Sequence, residues 1–199
     1  PHELVMVAKR AASQSKVFPR PYFALHPVAD MPQKIPPEMT LAIARRESEF
    51  YPKVASPVGA LGMMQVMPKT AKEVAKRLGL KFSSERMLSD WNYNAKIGIA
   101  YLEELSERYK GNPILIAAAY NAGPSRADRW IQLMGDPRNP KVDLVQWVES
   151  IPFEETRNYV MRVAESLPNY KVRLNNEPPA SFYFYLKGSG FLPFSPNSE

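Results

Sequence analysis

Proline placement constrains this chain more than any other feature. It has 20 prolines in 199 residues, seven within residues 1–40 and five within 168–199. Proline lacks a backbone N–H and fixes φ, so it is tolerated in the first turn of a helix and expelled from its interior. Pro37, Pro68, Pro113 and Pro124 each precede an apolar pattern of helical period. Pro37 opens a helix running to about Phe50. Pro68 opens one striped by Ala71, Val74, Ala75 and Leu78 and closed by Gly79. Ser89 or Asp90 caps a long helix carrying Ile97, Tyr101, Leu102, Leu105 and Tyr109, which ends at Gly111. Asn112-Pro113 starts a short helix, Ile114–Tyr120, whose all-round apolarity makes it central. A further helix runs from Pro124 through Trp130 to Met134, and Val142–Ser150 is helical. Glu154–Leu167 is amphipathic on Tyr159, Val160, Val163, Ala164 and Leu167.

Between these helices, Lys81–Leu88 reads as a loop. Sustained strand alternation is confined to Ser181–Leu186. The expected class is therefore all-α. Leu4–Lys16 could form a short helix, and Phe18 to Pro32 reads as extended. The expected organisation is a lead-in or linker over residues 1–35, a helical domain over 36–170, and a tail over 171–199 with disorder at the ends.

The helix from Met39 to Phe50 carries two glutamates in different settings. At ~100° per residue, Met39, Ala42, Ile43 and Phe50 share one side. Glu47 lies beside Ile43, Ala44 and Phe50, whereas Glu49 stacks on Arg45 at i−4 as a solvated charge. A carboxyl held against apolar neighbours has its charged form disfavoured and its pKa raised, as a general acid requires near neutral pH. The loop after this helix, Ser56–Pro68, contains two glycines and two prolines among apolar residues and a single Gln. Such composition suits a wall beside a site better than a solvated connector.

Four ordered blocks carry a resemblance. They are Ala44–Ala71 (ARRESEFYPKVASPVGALGMMQVMPKTA), Ala95–Leu102 (AKIGIAYL), Ala118–Pro124 (AAYNAGP) and Glu149–Val160 (ESIPFEETRNYV). Together they resemble the catalytic signature of soluble lytic transglycosylases, bacterial enzymes of goose-type-lysozyme-like fold that cut peptidoglycan strands. The resemblance implies a compact lysozyme-like domain. It implies cleavage of the β-1,4 bond between N-acetylmuramic acid and N-acetylglucosamine, with formation of 1,6-anhydro ends and no cofactor. Glu47 matches the single glutamate that serves as acid and then base. Ser56 and Gln65 match polar residues near the N-acetyl and sugar groups. Met63 and Met67 match residues lining the cleft, with ordinary core methionines as the alternative. Tyr120 and Asn121 follow the apolar helix, where a tyrosine hydroxyl can reach the catalytic carboxyl or the N-acetyl group. Glu155 matches an acid that contacts the peptide stem or saccharide; the alternative is a first-turn glutamate favoured by the helix dipole.

Composition narrows the partners. There is no cysteine, hence no disulfide, thiol nucleophile or cysteine-based zinc site. His2 and His26 are too few for a histidine metal site or triad and read as flank residues. No apolar run reaches the ~18 residues a membrane span needs, and no signal peptide is recognised before Pro1. The net charge of +6 is scattered, without a run of five cations, which gives nucleic-acid binding little support. The expected partner is the peptidoglycan strand, acted on by a monomer in the periplasm or at the cell exterior. The rivals are a muramidase-type hydrolase and an inert glycan-binding module.

Overall fold

The computed structural model describes residues 1–175 together with Tyr183 and Leu186. Among these residues no strand forms; the nearest approach is a pair of isolated bridges, Ala55 to Leu61 and Leu61 to Val66. The helices are α1 (His2–Ala12), α2 (Pro19–Tyr22), α3 (Pro37–Ser48), α4 (Pro68–Arg77), α5 (Ser84–Ser89), α6 (Trp91–Tyr109), α7 (Pro113–Ala122), α8 (Pro124–Met134), α9 (Leu144–Glu149) and α10 (Glu154–Asn175), with a 3₁₀ turn at Pro27–Asp30. Pro37, Pro68, Pro113 and Pro124 each stand at a first helical position. The side chains of Asp90 and Asn112 cap α6 and α7 by accepting from Tyr93 N and Leu115 N.

α7 is the centre. Every residue from Pro113 to Ala119 is buried. α6, α8 and α10 pack around it, and α10 also lies along α3. The core of α3 is equally dry: Leu41, Ala42, Ile43 and Ala44 are fully buried.

Three elements depart from the sequence reading. Ser84–Ser89 is helical rather than loop, because Ser83 caps it by accepting from Arg86 N and Met87 is buried beneath it. Pro19–Tyr22 makes a helical turn in a segment expected to be extended. α10 does not stop at Leu167 but continues through Pro168 to Asn175. An interior proline costs about 3 kcal/mol, and packing beyond it offsets that cost. Tyr170 is fully buried with Phe23 edge-on at 5.7 Å, and Arg173 Nε donates to Phe23 O at 3.2 Å.

Phe23 belongs to the segment read as a lead-in, and that segment is closely packed. Val5, Ala8, Ala24 and Val28 are buried. Arg45 of α3, its side chain only 11% exposed, donates to Tyr22 O at 3.2 Å and to Ser166 Oγ at 3.4 Å. Its guanidinium also lies 4.6 Å from the Tyr22 ring centre and 4.9 Å from that of Phe23. His26 is buried rather than a loose flank residue. It stacks on Phe50, meets Trp91 edge-on, and accepts from Val28 N at 3.0 Å. The strand-like reading of Ser181–Leu186 lies outside the described residues apart from Tyr183 and Leu186, both helical, of which Leu186 is buried. Most of the expected tail likewise lies outside them, while its first residues, 171–175, complete α10.

Candidate active site

Glu47 occupies the last turn of α3. Its apolar neighbours are those the helical wheel gives: Ile43 and Ala44 are fully buried and Phe50 nearly so. Burial pushes its carboxyl up from 4.5 to about 7. The Tyr159 hydroxyl, which donates to Oε1 at 2.6 Å, and the Arg46 charge pull the other way; Glu155 adds a push upward. The site at a helix C-terminus further disfavours an anion. The result is a carboxyl poised to be protonated near neutral pH and able to ionise there.

Beyond Glu47 the chain turns sharply. Glu49 and Phe50 have φ of 50° and 66°, consecutive left-handed residues that end α3 and direct the chain into the 51–67 loop. Glu49 is not a plain solvated charge. It pairs with Arg45, as the i−4 spacing indicates, and also with Lys9 of α1 at 2.6 Å, while its carbonyl is bonded to His2 Nδ1 at 2.9 Å.

The loop is held from three sides. Ser48 Oγ donates to Met63 O at 2.7 Å. Asn94 of α6, fully buried, accepts from Met64 N at 2.9 Å and donates to Leu61 O and Met87 O. Tyr120 Oη donates to Met64 O at 2.7 Å. Two glycines permit this closeness. A Cβ on Gly62, at φ +72°, would strike Met87 O and the Asn94 amide, and one on Gly98 would strike Met64 Sδ.

The residues singled out from sequence fall into distinct groups. Gln65 Nε2 donates to Val54 O and Gly62 O at 3.0 and 2.8 Å, so its amine closes the loop and its amide oxygen is what remains to face a ligand. Ser56 Oγ accepts from Ala60 N within the 56–60 turn, leaving its proton to donate. Met63 is fully buried and lines no cleft; of the two readings open for it, the core methionine is the one the structure has. Met67 is 43% exposed. It lines a cleft of about 250 Å³ with Gln65, Thr70, Tyr101, Tyr120 and Asn121. Asn121 Oδ1 accepts from Thr156 Oγ1 at 2.6 Å, tying α7 to α10. Glu155 is exposed in the first turn of α10 and close enough to Glu47 to raise its pKa. Arg157 donates to Ile151 O.

Tyr159 is the side chain that sequence reasoning passed over as a site residue, counting it only as part of the apolar stripe of α10. Its place in the fourth block was the available signal. It lies fully surrounded, its hydroxyl held well above 10 by burial and by Glu47, so it stays a proton donor to the carboxyl. Tyr120, rather than reaching the carboxyl with its hydroxyl, braces the loop; its hydroxyl is raised by burial and by Glu47 in the same way. Among the described residues no three His, Asp or Glu gather to hold a metal ion.

Residues 28–141 match the family described as the transglycosylase SLT domain. The chain belongs to that family. It is 40% identical over 162 residues to the soluble lytic murein transglycosylase of Escherichia coli K12, covering 81% of this chain and 24% of that protein. It is 41% identical over 142 residues to a putative soluble lytic murein transglycosylase of Haemophilus influenzae, covering 71% of this chain and 23% of that protein. The chain thus spans about a quarter of the length of these relatives. The crystal structure of the 70-kDa soluble lytic transglycosylase from E. coli superposes with a TM-score of 0.77 at 33% identity, over 87% of this chain and 29% of that one. The lytic transglycosylase Slt of Pseudomonas aeruginosa, solved as an inactive Glu-to-Gln mutant, gives 0.64 at 37% identity, over 72% and 22%. The all-α, lysozyme-like architecture of this SLT domain is therefore that of the solved soluble lytic transglycosylases.

Proposed function

We propose that this SLT domain is the catalytic part of a peptidoglycan lytic transglycosylase in which Glu47 acts as acid and then as base. The observation that carries the reading is the buried Glu47 carboxyl, raised to about 7 and held by Tyr159. Glycoside cleavage usually takes two carboxylates. Glu155, exposed at the start of α10, is not paired with Glu47 through a hydrogen bond among the described residues and serves here as a rim group.

The proposed cycle balances on one group. Neutral Glu47 gives its proton to the glycosidic oxygen between N-acetylmuramic acid and N-acetylglucosamine, and the C1–O bond breaks. The substrate's N-acetyl oxygen stabilises the positive C1. Ionised Glu47 takes the proton of the muramic C6 hydroxyl, whose oxygen closes on C1 as a 1,6-anhydro ring. Glu47 ends protonated and no water is consumed. Tyr159 favours the anion in the middle of this cycle by donating to it. Ser56 and the Gln65 amide oxygen offer one donor and one acceptor to the sugar and N-acetyl groups. Met67, Tyr120 and Asn121 form the wall, and Glu155 the rim.

The reaction places the substrate, and with it the activity, in the periplasm or at the cell exterior, and the domain works as a monomer. Mass spectrometry of products from purified cell wall tests the reading. Anhydro ends, lighter by one water, are expected. Only hydrated ends would mean a hydrolase. Intact glycan binding without cleavage would mean an inert module.

A further inference from the structure

A second pocket, of about 290 Å³, lies where α3 and α10 meet the first two helices. Four cations line it: Lys9, Arg45, Arg46 and Arg162. Two carboxylates, Glu49 and Glu165, face them. The compensation is uneven. Glu49 is shared between Lys9 and Arg45. Arg162 pairs with Glu165 at 2.9 Å on an open surface, their side chains 66% and 56% exposed, which leaves the pair weak and exchangeable. Arg46 is exposed and makes no ion pair or hydrogen bond among the described residues; its guanidinium stands 5.7 Å from the Tyr159 ring centre. The floor is rigid, since Arg45 is fixed by Tyr22 O, Ser166 Oγ and two aromatic rings. A concave, preformed pocket with cations in excess selects an anion, and guanidinium groups match a carboxylate in shape.

Its position says which carboxylate. Arg46 adjoins Glu47 in sequence and lies over the ring whose hydroxyl holds the Glu47 carboxyl. The pocket therefore borders the reacting centre along the α3–α10 groove. An extended peptide advances about 3.3–3.6 Å per residue, so a short peptide branching from a sugar at Glu47 reaches it.

We propose that this pocket is a binding subsite for a carboxylate of the peptide stem, with Arg46 and Arg162 as its recognition groups. The proposal rests on the transglycosylase reading for the identity of the peptide. It makes the domain prefer strands that still carry stems.

The test compares stem-bearing glycan strands with strands stripped of stems by an amidase. Arg162→Glu, an exposed change remote from the carboxyl, is expected to raise KM on stem-bearing strands about tenfold, the size of a charged hydrogen bond. KM on stripped strands should not move, and Arg162→Lys should restore most of the preference. An unchanged KM on stem-bearing strands would overturn the subsite. So would an equal rise on both substrates, which would assign Arg162 to the sugar or to folding. Calorimetric titration in the Glu47→Gln background separates this proposal from the reaction itself. Even if the unmodified protein cleaves neither strand, so that the transglycosylase reading fails, the subsite predicts tighter binding of stem-bearing strands and its loss with Arg162→Glu. Equal binding of the two strands would reject it.

Discussion

The Tyr159 hydroxyl donates to Glu47 Oε1 at 2.6 Å, joining α10 to α3 across 112 positions of sequence. This bond favours the ionised carboxyl against the burial that favours the neutral one. Tyr159→Phe keeps the ring and removes the donor, so the Glu47 pKa should rise further. A hydrogen bond to a charged group is worth about 1.5–3 kcal/mol, or roughly one to two pH units. The limb of the pH–rate profile set by Glu47 should move up by that amount, and turnover at neutral pH should fall. A profile that stays in place would remove Tyr159 from the proton-handling machinery.

Glu47→Gln should abolish turnover at or beyond the upper end of the 10²–10⁴-fold range for acid–base action, while leaving glycan binding intact. It should also alter stability in a pH-dependent way. Glu47 ionises at 4.5 when unfolded and near 7 when folded, so between these values the folded state holds the extra proton. Stability from this group is greatest below pH 4.5, declines as pH rises, and is lost above 7, by about 3 kcal/mol in all. Glutamine cannot ionise. The variant should therefore gain on the parent from pH 4 to pH 8 in denaturant titrations, and a constant difference would contradict the raised pKa.

His26 acts with the opposite sign. Burial, with a lesser push from the N-terminal charge, lowers its pKa from 6.5 to about 4. The unfolded state then binds the extra proton, and stability is present above pH 6.5 and lost as pH falls toward 4. Between 4.5 and 6.5 the two slopes nearly cancel. Glu47→Gln should uncover the histidine slope as a new acid lability, readable as a melting temperature that falls with pH where the parent's is flat.

Glu49→Gln should cost about 1–2 kcal/mol, more than an exposed pair would. The reason is that its 22%-exposed carboxylate serves both Lys9 and Arg45. The change should loosen α1 first, seen as earlier proteolytic cutting within residues 1–16. Unaltered stability would restore the simple surface reading.

Gly62→Ala should destabilise by about 3 kcal/mol or more, combining left-handed strain with a clash that neither backbone nor buried amide can relieve. Gly59→Ala, also at positive φ but with open space around it, should cost only the strain. Melting temperatures of the pair compare the two terms directly.

The helices were legible where proline and capping residues mark them. Pro37, Pro68, Pro113 and Pro124 start helices for a local reason that sequence displays. The environment of Glu47 was legible too, because i±3 and i±4 neighbours are set by helix geometry alone. What escaped was long-range. Tyr159 looks like any apolar-stripe residue until α10 is laid on α3. Pro168 signals an end that Tyr170 and Arg173 override by packing on Phe23. Residues 1–35 show few periodic apolar positions, yet Arg45 and Glu49 anchor them from α3. Met63, read from motif position as a possible cleft residue, is drawn inward by the path of a loop that Asn94 holds.

α10 is the last described helix in chain order, and it carries Tyr159, the Ser166 acceptor for Arg45, and the Tyr170 ring against Phe23. During synthesis at about 5–20 residues per second, Glu47 is made roughly 6–20 s before Tyr159. Through that interval α3 has no α10 beside it, and the carboxyl stays open to water with the ordinary pKa of an exposed glutamate. A growing or truncated chain is therefore an unarmed one: the acid is set only when the end of the domain arrives.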